Sequence, residues 1–330
     1  MTWTSAVWTT VEFREELRDF VAPVVGEPTV LEPLDVRPWS TVWRVESAAG
    51  VHYAKQNCPG QAHEAALVVE LARIAPERVA PVAAADPARD LLLTPDLGPT
   101  LRASGAAADP DVWCRIVAEA AALQREVATH VAELPLRVLL PADATTYVAD
   151  AVGRLAALPA GDARRLRPEE ALRIEALLPD IGEWSDEVAD LGLPITLNHN
   201  DLHDNNVIAP AGDASLRFFD FGDAVLAEPL GSLLIPLRFC ADVLGAGPDD
   251  PRLHRVVDAA LEVWTDVVPA ARMRAALPAA LQLGRLARAE SWRRCVASMT
   301  LAERGEYGAA PAEWLGTLGE DPPVGTRPRM

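Results

Sequence analysis

Lysine is almost missing from this chain. Among its 30 basic residues only Lys55 is a lysine; every other one is an arginine. An ammonium is a compact point charge and a guanidinium a planar fork, and one does not replace the other. A compact charge reaching phosphate oxygens is one need that would keep a single lysine in an arginine-biased chain. Other scarcities exclude whole classes. The four cysteines, Cys58, Cys114, Cys240 and Cys295, are dispersed with no CxxC pair, which excludes a zinc ribbon or a disulfide framework and reads as core thiols. No apolar run reaches the ~20 residues of a membrane span, and no basic-then-apolar leader opens the chain. The expected setting is the cytoplasm, without a membrane partner. Positive charge is in deficit, 30 basic against 48 acidic residues, net −18. That balance argues against nucleic acid and anionic surfaces. It suits a cationic substrate, and equally a surface selected for solubility.

What is present in quantity is apolar: half of the 330 residues are hydrophobic, enough for two lobes, each with a core. The stretch 197–223 reads LNHNDLHDNNVIAPAGDASLRFFDFGD. Short β-type runs around Ile195, Asn206–Ile208 and Leu216–Phe219 are separated by Asn, Asp, Gly and Pro, so strands alternate with loops. Asp201 is expected on a loop after one strand, and Asp220 at the tip of a hairpin. Taken singly, such residues are ordinary turn chemistry. Their order, His199-x-Asp201, Asn206 five residues on, then Asp220-Phe221-Gly222, supplies what phosphoryl transfer requires. Asp201 is a carboxylate to orient and deprotonate a hydroxyl, and Asn206 and Asp220 are hard oxygen ligands suited to Mg²⁺.

The run from His199 through Asp201 and His203 to Asn206, followed by Phe219-Asp220-Phe221-Gly222-Asp223, resembles the aminoglycoside phosphotransferase and choline kinase group within the protein-kinase-like fold. Protein kinases usually carry an arginine between the His and the Asp; here Asn200 stands there. The resemblance implies an α+β fold of two lobes, residues 1–96 binding nucleotide through a small antiparallel sheet and 97–330 forming a mainly helical catalytic and acceptor lobe. It implies transfer of the γ-phosphoryl of ATP (or GTP), with Mg²⁺, to a small-molecule hydroxyl, an aminoglycoside or amino sugar in first place. A sugar or choline-like alcohol is the first alternative, and a nucleotide-binding pseudokinase the second. His199 is expected to brace the loop and Asp220. Asp204 and Asn205 are expected beside the acceptor. The protein is expected to be a monomer or homodimer.

The rest of the chain fits this outline. Phe13, Leu17 and Phe20 mark an N-terminal amphipathic helix. Three strands are expected at 29–36, 41–46 and 51–56, with Lys55 on the third, where the kinase-like fold places its phosphate-binding lysine. The loop Arg37-Pro38-Trp39-Ser40-Thr41 lacks the glycines of a phosphate cover; Ser40 remains a candidate phosphate contact and Trp39 a shield. A helix over 61–74 places Glu64 in its first turn. The resemblance makes Glu64 the partner of Lys55, with Glu70 as runner-up. Two more strands are expected at 79–84 and 91–94. Thr94-Pro95-Asp96-Leu97-Gly98 then breaks the pattern as the hinge, making Thr94, Asp96 and Leu97 candidates for meeting the adenine ring. Helices are expected after Asp109-Pro110, over 143–158 and 168–191, and from 230 to about 299. Tyr147, Asp150, Glu183 and Trp184 are read as packing or surface residues. Glu290 is a candidate ammonium ligand. A Pro-x-x-Asp element that steadies the catalytic loop in the resembling family reads here Pro229-Leu230-Gly231-Ser232, with Ser232 in the place of the acid. The tail 322–328 is expected to be mobile.

Overall fold

The computed structural model describes residues 3–210, 212 and 214–325; positions 326–328 of the expected tail lie outside them. A 3-10 turn, Ser5–Thr9, leads into α1 (Val11–Val25), which Thr10 caps through its side chain. Three antiparallel strands follow, β1 (Val30–Val36), β2 (Ser40–Ser47) and β3 (Gly50–Asn57), then α2 (Glu64–Ile74), β4 (Ala84–Asp86) and β5 (Leu91–Pro95). The sheet order is β1-β2-β3-β5-β4. Strand periodicity decides what each face does. Thr41, Trp43, Val45 and Ala54 turn inward, and α1 lays Phe13, Leu17 and Val21 against that face to close the first core. Val42, Tyr53 and Lys55 turn the other way, into a cleft. The strand expected at 79–84 is shorter and later, because Val79 instead bridges to Phe218 of the second lobe.

The second lobe is helical: α3 (Pro110–Val127), α4 (Ala144–Ala156), α5 (Pro168–Ala176), α6 (Leu178–Ala189), α7 (Leu234–Leu244), α8 (Pro251–Glu262), α9 (Ala270–Ser298), α10 (Leu301–Tyr307) and α11 (Ala310–Gly316). The single helix expected over 168–191 is two, because Pro179 begins a new one as an N1 or N2 residue of α6. Helices α10 and α11 occupy a stretch that the sequence left largely without structure; the Thr300–Glu303 capping box starts the first of them. A large core centred on Trp113, Ile116, Trp184 and Leu281 joins these helices. Two small ribbons lie on it, β6 (Thr196–Asn198) with β9 (Val225–Ala227), and β7 (Val207–Ile208) with β8 (Arg217–Phe218). Among the described residues no helix is long and apolar enough to cross a membrane.

Candidate active site

Lys55 leaves β3 on its cleft face, opposite Val42 of β2 and Leu92 of β5. Its Nζ lies 2.6 Å from Glu64 Oε2 and 2.5 Å from Asp220 Oδ1. Burial works to lower the Lys55 pKa, but the two carboxylates outweigh it and keep the ammonium charged. Glu70, the runner-up, instead pairs with Arg73 on the surface at 2.9 Å.

Glu64 is held on every side. Its Oε2 also accepts from Asn57 Nδ2 at 2.7 Å, and its Oε1 accepts the backbone N–H of Phe221 at 2.9 Å. One buried carboxylate thus ties the lysine strand to the Asp-Phe-Gly segment. Asp90, unremarked in the sequence, completes the arrangement. It accepts from the N–H of Ala65 at 2.8 Å, serving as a remote cap for the first turn of α2, and from Asn57 Nδ2 at 2.9 Å. Burial pushes the Asp90 carboxyl up to about 6, against the pull of the Ala65 N–H.

Asp220 lies past β8, at the open end of the β7–β8 hairpin and not at its turn as expected. That end sets it beside Asn206, which directly precedes β7, and the Phe219 N–H donates to the Asn206 carbonyl at 3.3 Å. Burial would raise the Asp220 carboxyl, yet the Lys55 ammonium holds it below its ordinary range. Among the described residues, the non-glycine positions with positive φ are Asp90 (52°), Asn200 (65°) and Asp220 (65°). All three belong to this site, where sparsely populated backbone is held by its surroundings.

Asp201 follows β6 on the loop 199–206. Asn206 Nδ2 donates to the Asp201 carbonyl at 3.0 Å, and His203 Nε2 stands 3.7 Å from the carboxylate. His203 packs on Phe239 at 4.6 Å, and burial lowers its pKa to about 4, so it is neutral. The Asp201 carboxyl is pushed up to about 7, first by burial and then by Asp223 and Asp220, while Arg288 pulls against them. His199 Nε2 lies 2.9 Å from the carbonyl oxygen of Phe219, and its ring packs on Phe221 at 4.7 Å. Burial lowers its pKa, and as a neutral ring it joins the loop 199–206 to the Asp-Phe-Gly segment. Asp204 is buried and paired with Arg102 at 2.7 Å.

Between sheet and helices lies a cleft of about 670 Å³. Ser40, Lys55, Glu64, Thr94, Asp96, Leu97, Asn206 and Asp220 all line it; His199 and Asp201 do not. At the hinge, the Asp96 N–H donates to the Val51 carbonyl at 3.0 Å, and Asp96 Oδ1 accepts the Gly98 N–H at 2.9 Å. The glycine-free loop between β1 and β2 is held by aromatic contact instead. Trp39 packs edge-on against Trp292 of α9 at 5.5 Å and Tyr307 of α10 at 5.0 Å.

Among the described residues no three His, Cys, Asp or Glu groups converge on a metal site. Mg²⁺ on a nucleotide needs less, one or two protein oxygens beside phosphate and water. Asp220 has its Oδ1 on Lys55 and carries a second oxygen; Asn206 spends its Nδ2 on Asp201 and keeps its Oδ1. Both line the cleft, so this donor set fits the ion.

Glu290 is no ammonium ligand. It is fully buried, bound by Arg293 at 2.7 Å and Arg137 at 3.1 Å, and accepts the Tyr147 hydroxyl at 3.0 Å. Trp184 is core. Ser232 donates to the Pro229 carbonyl at 2.6 Å and accepts from Gln124 at 3.1 Å. Gln124 in turn holds the Leu197 carbonyl at 3.0 Å, on β6 just before the loop that carries Asp201. Besides Asp90, sequence reasoning missed Arg288 of α9, buried at 7% exposure with its guanidinium 3.2 Å from Asp201. A charged residue on the inward stripe of a long helix was the signal available.

No protein-family model and no curated protein matches the chain. Solved structures do. A macrolide 2'-phosphotransferase from Brachybacterium faecium superposes with a TM-score of 0.55 at 18% identity, covering 94% of this chain and 98% of that one. An ethanolamine kinase from Plasmodium vivax gives 0.58 at 12% identity, covering 88% of each chain. The choline kinase of Streptococcus pneumoniae gives 0.58 at 11%, covering 92% and 97%. The chain has the two-lobed protein-kinase-like fold. The α+β architecture expected from the sequence is borne out, and its resemblance to small-molecule kinases holds at the level of the fold.

Proposed function

We propose that the protein is a small-molecule phosphotransferase that moves the γ-phosphoryl of ATP, or of GTP, to a hydroxyl group. The observation that carries this is one constellation. Lys55 sits within 2.6 Å of both Glu64 and Asp220 on the wall of a nucleotide-sized cleft, and the Asp201 carboxylate stands near enough to feel both Lys55 and Asp220. The fold is shared with a macrolide phosphotransferase, an ethanolamine kinase and a choline kinase, which supports the same class of reaction.

In this proposal the lobes meet near Asp96, and residues 1–96 contribute Lys55, Glu64, Ser40 and the hinge positions Thr94, Asp96 and Leu97 to the nucleotide. Lys55 neutralises phosphate charge as Glu64 aims it. Asp220 and Asn206 would hold Mg²⁺, which when bound would supply positive charge to offset that of the phosphates. Asp201 accepts the hydroxyl proton of the acceptor, its carboxyl tuned near the working pH as a general base requires. His199 and Asn206 fix the loop that carries it. Rate enhancement comes from positioning and preorganised charge.

The first acceptor to consider is an aminoglycoside or amino sugar, on the chain's acidic balance and its likeness to kinases of that group. An uncharged sugar or alcohol is the second, and one observation favours it: Glu290, the carboxylate that could have taken an ammonium, already holds two arginines. Acceptor-dependent ADP release with Mg²⁺ across aminoglycosides, sugars and amino alcohols, with Asp201→Asn as blank, tests both. Turnover on one class establishes the reaction and its acceptor. Nucleotide binding without turnover on any of them would move the protein toward the pseudokinase alternative.

A further inference from the structure

The catalytic loop has an unusual support. Its Asn200 adopts a left-handed backbone, φ 65°. Asn tolerates that region better than most residues, and something must still hold it there. The support comes from α9, nearly ninety positions further along the chain. Asn200 Nδ2 donates to the Ala287 carbonyl at 2.9 Å and to the Asp223 carbonyl at 3.2 Å. Arg288, the next residue of α9, returns the contact. Its Nη1 donates to the Asn200 carbonyl at 2.8 Å and lies 3.2 Å from Asp201 Oδ1 and 3.5 Å from Asp223 Oδ2. Asp223 also accepts from Gln61 Nε2 at 3.0 Å and from Ser291 of α9. The Arg288 guanidinium packs over Trp314 of α11, 5.5 Å from the ring centre.

A buried guanidinium is costly to desolvate unless its partners are well placed. These partners are the carbonyl and carboxylate that bracket one peptide of the catalytic loop, and a carboxylate one residue past Asp-Phe-Gly. We infer that Arg288 is a positioning residue for phosphoryl transfer, a clamp from α9 that fixes the backbone of Asn200 and the direction of the Asp201 carboxylate. It rests on the phosphotransferase proposal for its consequence in rate, though not for its consequence in structure. It also accounts for two departures noted in the sequence. The loop has Asn200 where an arginine would be usual, and Ser232 where an acid would brace the loop; α9 supplies both the cation and the brace.

All three polar contacts run through Nη1, so charge at one point, more than the shape of the fork, is what the clamp needs. This separates Arg288→Lys from Arg288→Met. Methionine fills the space on Trp314 without the charge; lysine keeps a charge with less of the plane. In hydrogen exchange of the full-length protein, the peptides over 197–208 should lose protection in Arg288→Met and keep most of it in Arg288→Lys, with the hinge peptides over 91–98 unchanged in both. ADP affinity measured without Mg²⁺ should stay at the wild-type value in each, since Lys55 and Glu64 are untouched. On the acceptor that turns over in the panel above, kcat should fall about a hundredfold in Arg288→Met, the scale of a carboxylate displaced by about an ångström, and recover most of that loss in Arg288→Lys. Wild-type protection of 197–208 in Arg288→Met would overturn the inference and assign Arg288 to packing alone; equal loss in both variants would overturn the reading that charge at one point holds the loop. A wild-type protein without turnover on any acceptor would instead count against the phosphotransferase proposal, and the exchange result would still decide the clamp.

Discussion

Asp201 carries most of the chemistry proposed for this chain, and its environment makes that testable by pH. Its carboxyl moves from an ordinary 3.8 to about 7, with burial the largest cause. The base form therefore prevails only above about 7, and kcat/KM for the acceptor should fall with each unit of pH below it. The same shift has a sign for stability. The folded protein binds more protons than the unfolded chain between 3.8 and about 7, so this group's contribution weakens as pH rises through that window. Asp201→Asn should abolish transfer, spare nucleotide binding, and melt higher than wild type at pH 8, with the gap closing toward pH 4. Transfer at the wild-type rate would remove Asp201 from its role. For Lys55 the outcome is set by its two carboxylates. Lys55→Arg should lose nucleotide affinity and rate together, because a fork does not fit between partners at 2.5 and 2.6 Å. Glu64→Gln leaves a buried ammonium with half its compensation, and should cost roughly 3–5 kcal/mol in a denaturant titration.

At the scale of elements, the β3–α2 loop lies with its backbone directly against α9. A Cβ added to Gly60 would collide with the Arg294 carbonyl and crowd the Cys295 N–H. Backbone cannot swing aside as a side-chain tip can, so Gly60→Ala should destabilise by about 1–3 kcal/mol or more and loosen the Gln61–Asp223 contact with it. An unchanged melting temperature would show that α9 yields there. What was legible in the sequence follows the same divide between local and distant. The strands expected at 41–46 and 51–56 stand as β2 and β3, with Lys55 on the latter, because strand patterning is local. Asp201, Asn206 and Asp220 declared themselves by spacing within one stretch. Asp90, Asp223 and Arg288 did not, since their partners are remote: Ala65 for Asp90, Gln61 for Asp223, Asn200 for Arg288. Glu290 misled for the same reason. Its charge was visible and its two arginines were not. Asp220 was set at a hairpin turn because the strand lengths around it, two residues each, are too short to read from pattern.

Over the whole molecule, one side of the cleft is tied shut. Trp39 packs on Trp292 and Tyr307, Ser5 bonds Glu303, Gln61 bonds Asp223 and Gly60 abuts Arg294. With so many ties across one edge, the lobes should unfold together, and calorimetry should give a single transition whose van't Hoff and calorimetric enthalpies agree. Two separated transitions would show that the ties are weaker than their number suggests. The clamp by α9 has a consequence in time as well as in space. Chains are made from the N-terminus, and domains fold as they emerge. When residue 220 has left the ribosome, Lys55, Asp201, Asn206 and Asp220 are all present, yet the helix that holds the loop, Ala270–Ser298, is still unmade. Until it is made, the nascent protein carries its full set of motif residues without the arrangement that would let them act.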